Sequence, residues 1–363
     1  MTGQIKTIGL LLFISAGQFV YGQTTNQEKA LEKAQAAIEL TDNGKFDESI
    51  KLLEEAQKLD PDEINYPYEL AYTYYTRKDY KMAVKYLESI QKHKQVDDKV
   101  YQLLGNSYDY LGKSDKAIET YEAGLKLFPK SGNLYLEMGV MQLGKKDYNK
   151  ALDYYEKGIE VAPEFSSNYY WASKIYCSST EEVWGMIYGE LFMNLERNSA
   201  RTAEISKLLY DTYKNEIKFT SDTSITVSFS KIMSININNQ NDTDKMKIPF
   251  GIGVYEPILM LSILTEKTID INSLNNIRSA FVDNYFTKGY DKTYPNILFS
   301  YQKQIKEAGH LEAYNHWILM KGDEDGFVKW YALNKEKWEE FVNWFGANKL
   351  TINDTNKFYR DQY

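Results

Sequence analysis

The chain has 363 residues, with 43 lysines and arginines against 51 aspartates and glutamates, and a formal net charge of −8. Binding to nucleic acid needs clustered cations that neutralise phosphates, so an acidic chain without a basic run is not expected to bind it. The single cysteine, Cys177, excludes a disulfide framework and a thiolate metal site, whereas 31 tyrosines, 16 phenylalanines and six tryptophans supply ample material for packed cores.

The first 22 residues have the layout of a secretory signal peptide. Lys6 precedes an apolar stretch from Ile8 to about Ala16, and small and polar residues follow as far as Gly22, where cleavage is expected. This stretch is too short to span a bilayer, and no later stretch approaches about 18 apolar residues, so no membrane span is expected after cleavage. The alternative is that the segment remains as an uncleaved anchor. The sequence thus predicts an exported protein, periplasmic or secreted.

Residues separated by 34 positions match repeatedly between about Ala30 and Tyr176. Two columns contain only small residues: Ser49, Ala83, Ala117, Ala151 and Gly185 in one, and Ala71, Gly105, Gly139 and Ser173 in the other. Each unit has a polar turn between two helical patterns, and several units close on a proline: Pro61, Pro129 and Pro163. The period, the turn and the proline together resemble the tetratricopeptide repeat family, whose helix–turn–helix units stack into a solenoid. The resemblance covers less than half of the chain.

The small columns have a physical reason in such a solenoid. A glycine inside a helix costs roughly 1 kcal/mol relative to alanine, so a gain elsewhere must offset it. Where two helix backbones approach most closely, only Gly, Ala or Ser fits, and the close approach provides dispersion contacts in return. We therefore expect Gly105, Gly139 and Ala151 to be buried at helix crossings.

Regular repetition decays after about Cys177. Residues 23–180 are therefore predicted to form a solenoid of about four or five repeats, and residues 181–363 a mostly α-helical C-terminal domain docked on its open end. In that domain, alternating apolar residues on both sides of a polar loop predict a β-hairpin near 223–254, with Pro249 marking an edge strand. The closing segment Ile352–Tyr363 is interpreted as a frayed tail. The predicted fold class is mainly α with one hairpin.

Candidate catalytic and metal-binding residues are few. His310 and His316 flank Glu312 but lie six positions apart, unlike the i, i+4 pair of a zinc-binding helix, so structural roles are favoured. The acidic turns at 241–244 and 322–326 lack the calcium-loop pattern, and Cys177 is expected to be a buried structural thiol. The sequence therefore predicts no catalytic residue, no metal and no cofactor.

One face of the second repeat differs from the core stripe. Tyr68, Tyr72 and Tyr75 recur at i, i+4 and i+7 on a helix whose core residues are elsewhere. The resemblance implies that this face lines the concave groove in which tetratricopeptide proteins bind extended peptides or helices. The matching positions of later repeats are Gln102, Asn106, Asp109 and Tyr110, then Leu136, Val140 and Leu143, and then Tyr170 and Lys174. The alternative is that these side chains pack on a neighbouring helix or under the C-terminal domain.

These observations favour an exported, non-catalytic interaction protein. Its solenoid groove would bind a polypeptide partner, as a scaffold or adaptor in a cell-envelope assembly. The alternative is that residues 181–363 form an enzyme or a glycan-binding module of unrecognised family, with the repeat array as an accessory. The tryptophans and phenylalanines of that half recur at helical spacing, which is more typical of a core than of sugar stacking.

Overall fold

The computed structural model describes residues 24–221, 224–231 and 249–363. The predicted signal peptide lies outside these ranges, as do residues 232–248 of the predicted hairpin. Across the described residues, no helix combines the length and the apolar character needed to cross a bilayer. The fold divides into two compact units, one ending at Lys113 and the other beginning at Ser114. This division falls inside the predicted repeat region, ahead of the boundary near residue 180 that the sequence suggests.

The first unit consists of antiparallel helix pairs. Its helices are α1 (Thr24–Asp42), α2 (Phe46–Leu59), α3 (Asn65–Thr76), α4 (Tyr80–Ile90) and α5 (Asp98–Tyr110). Helix α1 packs on α2 and α3 on α4, around a core that includes Leu53, Leu70 and Ala83. The turn between α3 and α4 places Lys78 at φ 71°, and the Asp79 side chain caps α4 by accepting a hydrogen bond from the backbone N–H of Met82. The helix–turn–helix prediction is confirmed in this unit.

The second unit is also mainly helical. Its first helices are α6 (Ser114–Leu127), α7 (Gly132–Gly144), α8 (Tyr148–Val161), α9 (Ser166–Tyr176), α10 (Glu182–Leu195) and α11 (Ala200–Glu216). A two-stranded hairpin and a π-helical turn (Gly251–Tyr255) follow, leading into α12 (Glu256–Ile263), α13 (Ile271–Thr287) and α14 (Tyr290–Thr293). The chain closes with α15 (Ile297–Glu307), α16 (Leu311–Leu319), α17 (Glu324–Leu333), α18 (Lys335–Ala347) and a short 3₁₀ turn at Arg360–Gln362.

Small residues mark the closest helix crossings of the second unit. A Cβ atom added to Gly139 on α7 would lie 2.2 Å from the ring of Tyr155 on α8. Gly158 is as confined, because its Cβ would lie 2.3 Å from the Asn168 amide nitrogen. Ala151 is fully buried. The expectation that Gly139 and Ala151 lie at buried crossings is confirmed, and Gly105 is buried as well.

Helix α10 lies at the centre of the second unit. Every residue from Glu182 to Asn194 is buried, so the helix has no solvent-facing side. Its charged residue Glu190 pairs with Arg278 of α13, and the same carboxylate accepts hydrogen bonds from Gln302 and Tyr314. A buried carboxylate is tolerated when charge and hydrogen bonds are both supplied, and both are supplied here.

The hairpin differs from its predicted position. Its strands are β1 (Ile217–Ser221) and β2 (Ser224–Val227), paired antiparallel with Phe219 opposite Ile225. Residues 250–254, predicted as the second strand, are helical. The apolar spacing of that segment serves a helix that buries Phe250 and Val254 in the core.

The C-terminal segment is ordered against the second unit, and the expectation of a frayed tail is wrong. Phe358 is fully buried and stacks on Trp184 at a centroid distance of 5.7 Å. Arg360 Nε donates to the Glu156 carboxylate at 3.0 Å. A polar segment that carries one aromatic anchor and one cation can therefore dock although its hydropathy resembles that of a tail.

The close crossing at Gly139 makes a stability prediction. Gly139→Leu forces the Tyr155 ring to move, and we expect the free energy of unfolding to fall by about 1–3 kcal/mol. Gly144→Leu is the matched control, because nothing lies within 4 Å of a Cβ added at that end of the same helix. Chemical denaturation of both variants measures the difference, and equal stabilities would contradict the account of the small column.

Candidate partner-binding face

Helix α3 of the first unit separates its core residues from the predicted tyrosine stripe. Leu70 and Ala71 are fully buried, whereas Tyr68, Tyr72 and Tyr75 are each partly exposed. Burial raises the pKa of Tyr68 and of Tyr72 above the ordinary value, so both phenols stay neutral at physiological pH. The stripe therefore presents partly sheltered rings with polar tips, as predicted from the spacing.

An aromatic cluster extends the stripe. The Tyr80 and Tyr110 rings stack with centroids 4.7 Å apart and planes 7° apart, and Tyr75 meets both rings edge-on. Tyr110 remains 63 % exposed, which is unusual for so large a side chain. The sequence analysis missed Tyr80, although the signal exists: Phe46, Tyr80 and Tyr148 occupy one repeat column at the start of each second helix.

Helix α5 carries the neighbouring positions of the first unit. Gln102 and Asn106 are partly buried, and Asp109 is exposed. At the start of the helix, the Asp97 carboxylate accepts hydrogen bonds from the backbone N–H groups of Lys99 and Val100. The first unit thus holds seven of the predicted partner-binding residues on two helices: Tyr68, Tyr72 and Tyr75 on α3, and Gln102, Asn106, Asp109 and Tyr110 on α5.

Glu69 is a further residue of this face that sequence reasoning missed. It lies between Tyr68 and Tyr72 on α3 and is partly buried. Burial raises its pKa to about 7; the nearby charge of Asp42 also raises it, and Lys99 lowers it. A single acidic residue in a helix has no periodic signal, which is why the sequence pattern did not indicate it.

In the second unit, the equivalent face of the fifth repeat is covered by α11. Tyr170 is only 6 % exposed, and its hydroxyl donates to Glu204 of α11 at 2.6 Å. Lys174 Nζ pairs with the same carboxylate at 2.6 Å, and the Arg201 guanidinium lies 5.0 Å from the Tyr170 ring centroid. Tyr170 and Lys174, predicted to face a partner, are therefore engaged by a helix of this chain.

The two remaining predicted positions lie on α7. Leu136 packs against the core of the second unit, whereas Val140 is 38 % exposed. Leu143 also packs against that core. These apolar side chains offer contact area without a charged or hydrogen-bonding group.

The histidine region is a structural cluster. The His316 ring stacks on Trp330 at 4.1 Å, and its Nδ1–H donates to the backbone oxygen of Glu312. Burial lowers the pKa of His316, and the Glu312 carboxylate pairs with Lys337 at 2.6 Å. Within the described ranges, no group of three or more His, Cys, Asp or Glu residues is placed to hold a metal ion. The thiol of Cys177 is buried, which raises its pKa to about 12.

The buried charge pair Glu190–Arg278 borders a small cavity. Tyr213, Tyr255 and Gln302 also line it, and its volume is about 20 Å³, which by volume matches roughly one water molecule. Substrate pockets for small molecules are typically about 300 Å³ or larger. The arrangement therefore satisfies polar groups inside a core and does not present a binding cleft.

Comparison with known protein families gives two matches, both described as tetratricopeptide repeat. One covers residues 40–106 and the other residues 103–164. The comparison with curated proteins found no match.

Solved structures with similar folds include three bacterial proteins. The TPR protein TTC0263 of Thermus thermophilus is 14 % identical, over 50 % of this chain and 98 % of its own, with a TM-score of 0.42. PilF of Pseudomonas aeruginosa is 17 % identical, over 53 % and 86 %, with a TM-score of 0.44. MamA of Desulfovibrio magneticus RS-1 is 16 % identical, over 48 % and 98 %, with a TM-score of 0.37. None of these TM-scores reaches 0.5, so the three structures carry no weight for function.

The raised pKa of Glu69 makes a pH prediction. The folded state holds the proton more tightly than the unfolded state does, so the resulting stabilisation is complete below the ordinary pKa of 4.5 and is lost as pH rises through about 7. Glu69→Gln imitates the protonated form. Its stability relative to the parent should therefore rise between pH 5 and pH 8, by on the order of 2 kcal/mol.

Urea unfolding at several pH values measures this difference. Glu48→Gln is the matched control, because Glu48 is an exposed glutamate on α2 of the same unit. A flat difference for both variants would show that the Glu69 carboxyl titrates like a surface group.

Proposed function

We propose that this chain, whose residues 40–164 are tetratricopeptide repeats, is an interaction protein whose first unit binds a polypeptide segment on the face formed by α3 and α5. The observation that carries the proposal is the partly exposed tyrosine set of that face: Tyr68, Tyr72, Tyr75 and Tyr110. Tyrosine offers a large, stiff, apolar body and a polar tip, which is why it is enriched where binding energy concentrates.

The shape of the face suits a polypeptide segment. Neighbouring packed helices lie roughly 8–10 Å apart, so a segment that crosses two of them spans at least that distance. An extended chain covers about 3.3 Å per residue, and three to six residues therefore suffice to contact both helices. Two rows of side chains can then select alternate residues of the bound segment.

The proposal is narrower than the sequence hypothesis. In the second unit, α11 already lies on Tyr170 and Lys174, so those two positions are assigned to intramolecular packing. Val140 and the positions of the first unit remain assigned to the partner.

We also propose that the protein is exported and acts as a non-catalytic scaffold or adaptor at the cell envelope. The support is the apolar stretch from Ile8 to about Ala16, with Lys6 ahead of it and small residues behind it. An interaction module that works by surface contact needs no cofactor, which agrees with the absence of a catalytic motif in the sequence.

The binding proposal is tested with peptides selected from a random 12-residue display library against the full chain. Tyr72→Ala removes a ring from the face, and we expect it to weaken binding of the selected peptides by about tenfold or more. Tyr148→Ala is the matched control, because Tyr148 is 54 % exposed on α8 of the other unit. Titration calorimetry measures both affinities. If selection yields no peptide, or if Tyr72→Ala binds as the parent does, the proposal fails.

Export is tested by expressing the full chain in a bacterium with a periplasm. We expect a periplasmic protein whose intact mass corresponds to a chain that begins at Gln23. Leu11→Arg interrupts the apolar stretch and should retain the precursor in the cytoplasm, whereas Thr2→Lys adds a charge ahead of the stretch and should leave export intact. A membrane-bound protein of full-length mass would instead establish the uncleaved anchor.

A further inference from the structure

Buried glutamates in the second unit share one solution to their charge. Glu190 pairs with Arg278 at 2.6 Å, Glu156 with Arg360 at 3.0 Å and Glu182 with Lys231 at 3.1 Å. Removing a carboxylate from water is costly unless a cation and hydrogen bonds compensate for the lost hydration. In these three cases, a cation of the same chain provides that compensation.

Glu69 of the first unit has no such cation. It is partly buried on α3, and among the described residues its carboxylate forms neither a hydrogen bond nor an ion pair. Lys99 lowers its pKa and Asp42 raises it, and burial dominates, with the result that the pKa reaches about 7. The local charge balance is thus incomplete at a position between two partly exposed rings.

The fifth repeat shows what occupies the equivalent positions in this chain. Tyr170 lies 102 residues, or three repeats, after Tyr68, and Lys174 lies three repeats after Tyr72. There, α11 brings Arg201 to 5.0 Å from the Tyr170 ring, while Lys174 lies 5.0 Å from the same ring and pairs with Glu204 at 2.6 Å. The face therefore accommodates cations over its tyrosine when a carboxylate is adjacent.

We propose that Tyr68, Glu69 and Tyr72 form a subsite for a lysine or arginine side chain of the bound polypeptide, with the cation paired to Glu69 and placed against the tyrosine rings. This inference rests on the proposed function, since it names the chemistry of the partner at the same face. The carboxylate supplies the charge and the rings supply the apolar walls along which a long cationic side chain lies.

The groups that face Glu69 favour a cation. Asp42 on α1 and Asp97 and Asp98 on α5 add negative charge near Glu69 or Tyr68, against the single positive charge of Lys99. A cationic side chain therefore gains long-range attraction as well as the direct pair, whereas an acidic side chain meets repulsion.

The test uses the tightest peptide from the display selection and the full chain. We expect that peptide to contain an arginine or a lysine whose replacement by citrulline or norleucine, respectively, weakens binding to the parent about tenfold. With Glu69→Gln the same replacement should change affinity less than about twofold, because the charged partner is gone. Glu48→Gln, the exposed control on α2, should keep the full preference for the cation.

The outcomes separate this inference from the proposed function. Selected peptides that depend on Tyr72 but lack a cation, or a preference for the cation that survives in Glu69→Gln, would overturn the inference and leave peptide binding intact. Failure to select any peptide, or binding that ignores Tyr72→Ala, would overturn both. Circular dichroism verifies that Glu69→Gln keeps its helical content.

Discussion

The closest helix crossings of this protein tolerate no side chain larger than a methyl or hydroxymethyl group, and the positions of the other side chains follow from that constraint. The backbone at Gly139 lies against the Tyr155 ring, and the backbone at Gly185 lies against Cys177. Since each crossing recurs at the repeat period, each helix pair is held in the same relation as the pair before it. A partner-binding face built on such helices is rigid before the partner arrives, which reduces the conformational entropy that binding costs.

The second unit depends on paired charges as much as on small residues. Helix α10 is buried on every side and so lacks the polar face that orients most helices. Its Glu190 accepts two hydrogen bonds from Arg278, one from Gln302 and one from Tyr314, which fixes the helix in one orientation. Removing one member of a buried pair leaves the other charge uncompensated, at a cost of about 3–5 kcal/mol. Such a network tolerates few alternative arrangements.

The sequence predicts the repeat region well because each position is supported by its equivalents at the same period. It predicts poorly where a segment occurs once. In the hairpin, the alternation of Ile225 and Val227 correctly indicates a strand, but the partner strand precedes it and continues directly from α11, without a break that the pattern could reveal. Tyr170 shows a second limit, since repeat position specifies the face of a helix and not which later segment covers that face. Glu69 shows a third, because its environment arises from three helices.

The docked C-terminal segment determines where the chain can be shortened. Phe358 fills the space between Trp184 and Phe250, with ring centroids 5.7 Å away on both sides, and Lys357 donates to the backbone oxygen of Glu160. A version that stops before Leu350 would leave those aromatic faces in contact with water and Glu156 without its guanidinium. Exposed aromatic surface of this kind promotes self-association. The last dozen residues thus act as a cover that keeps the second unit from adhering to its own copies.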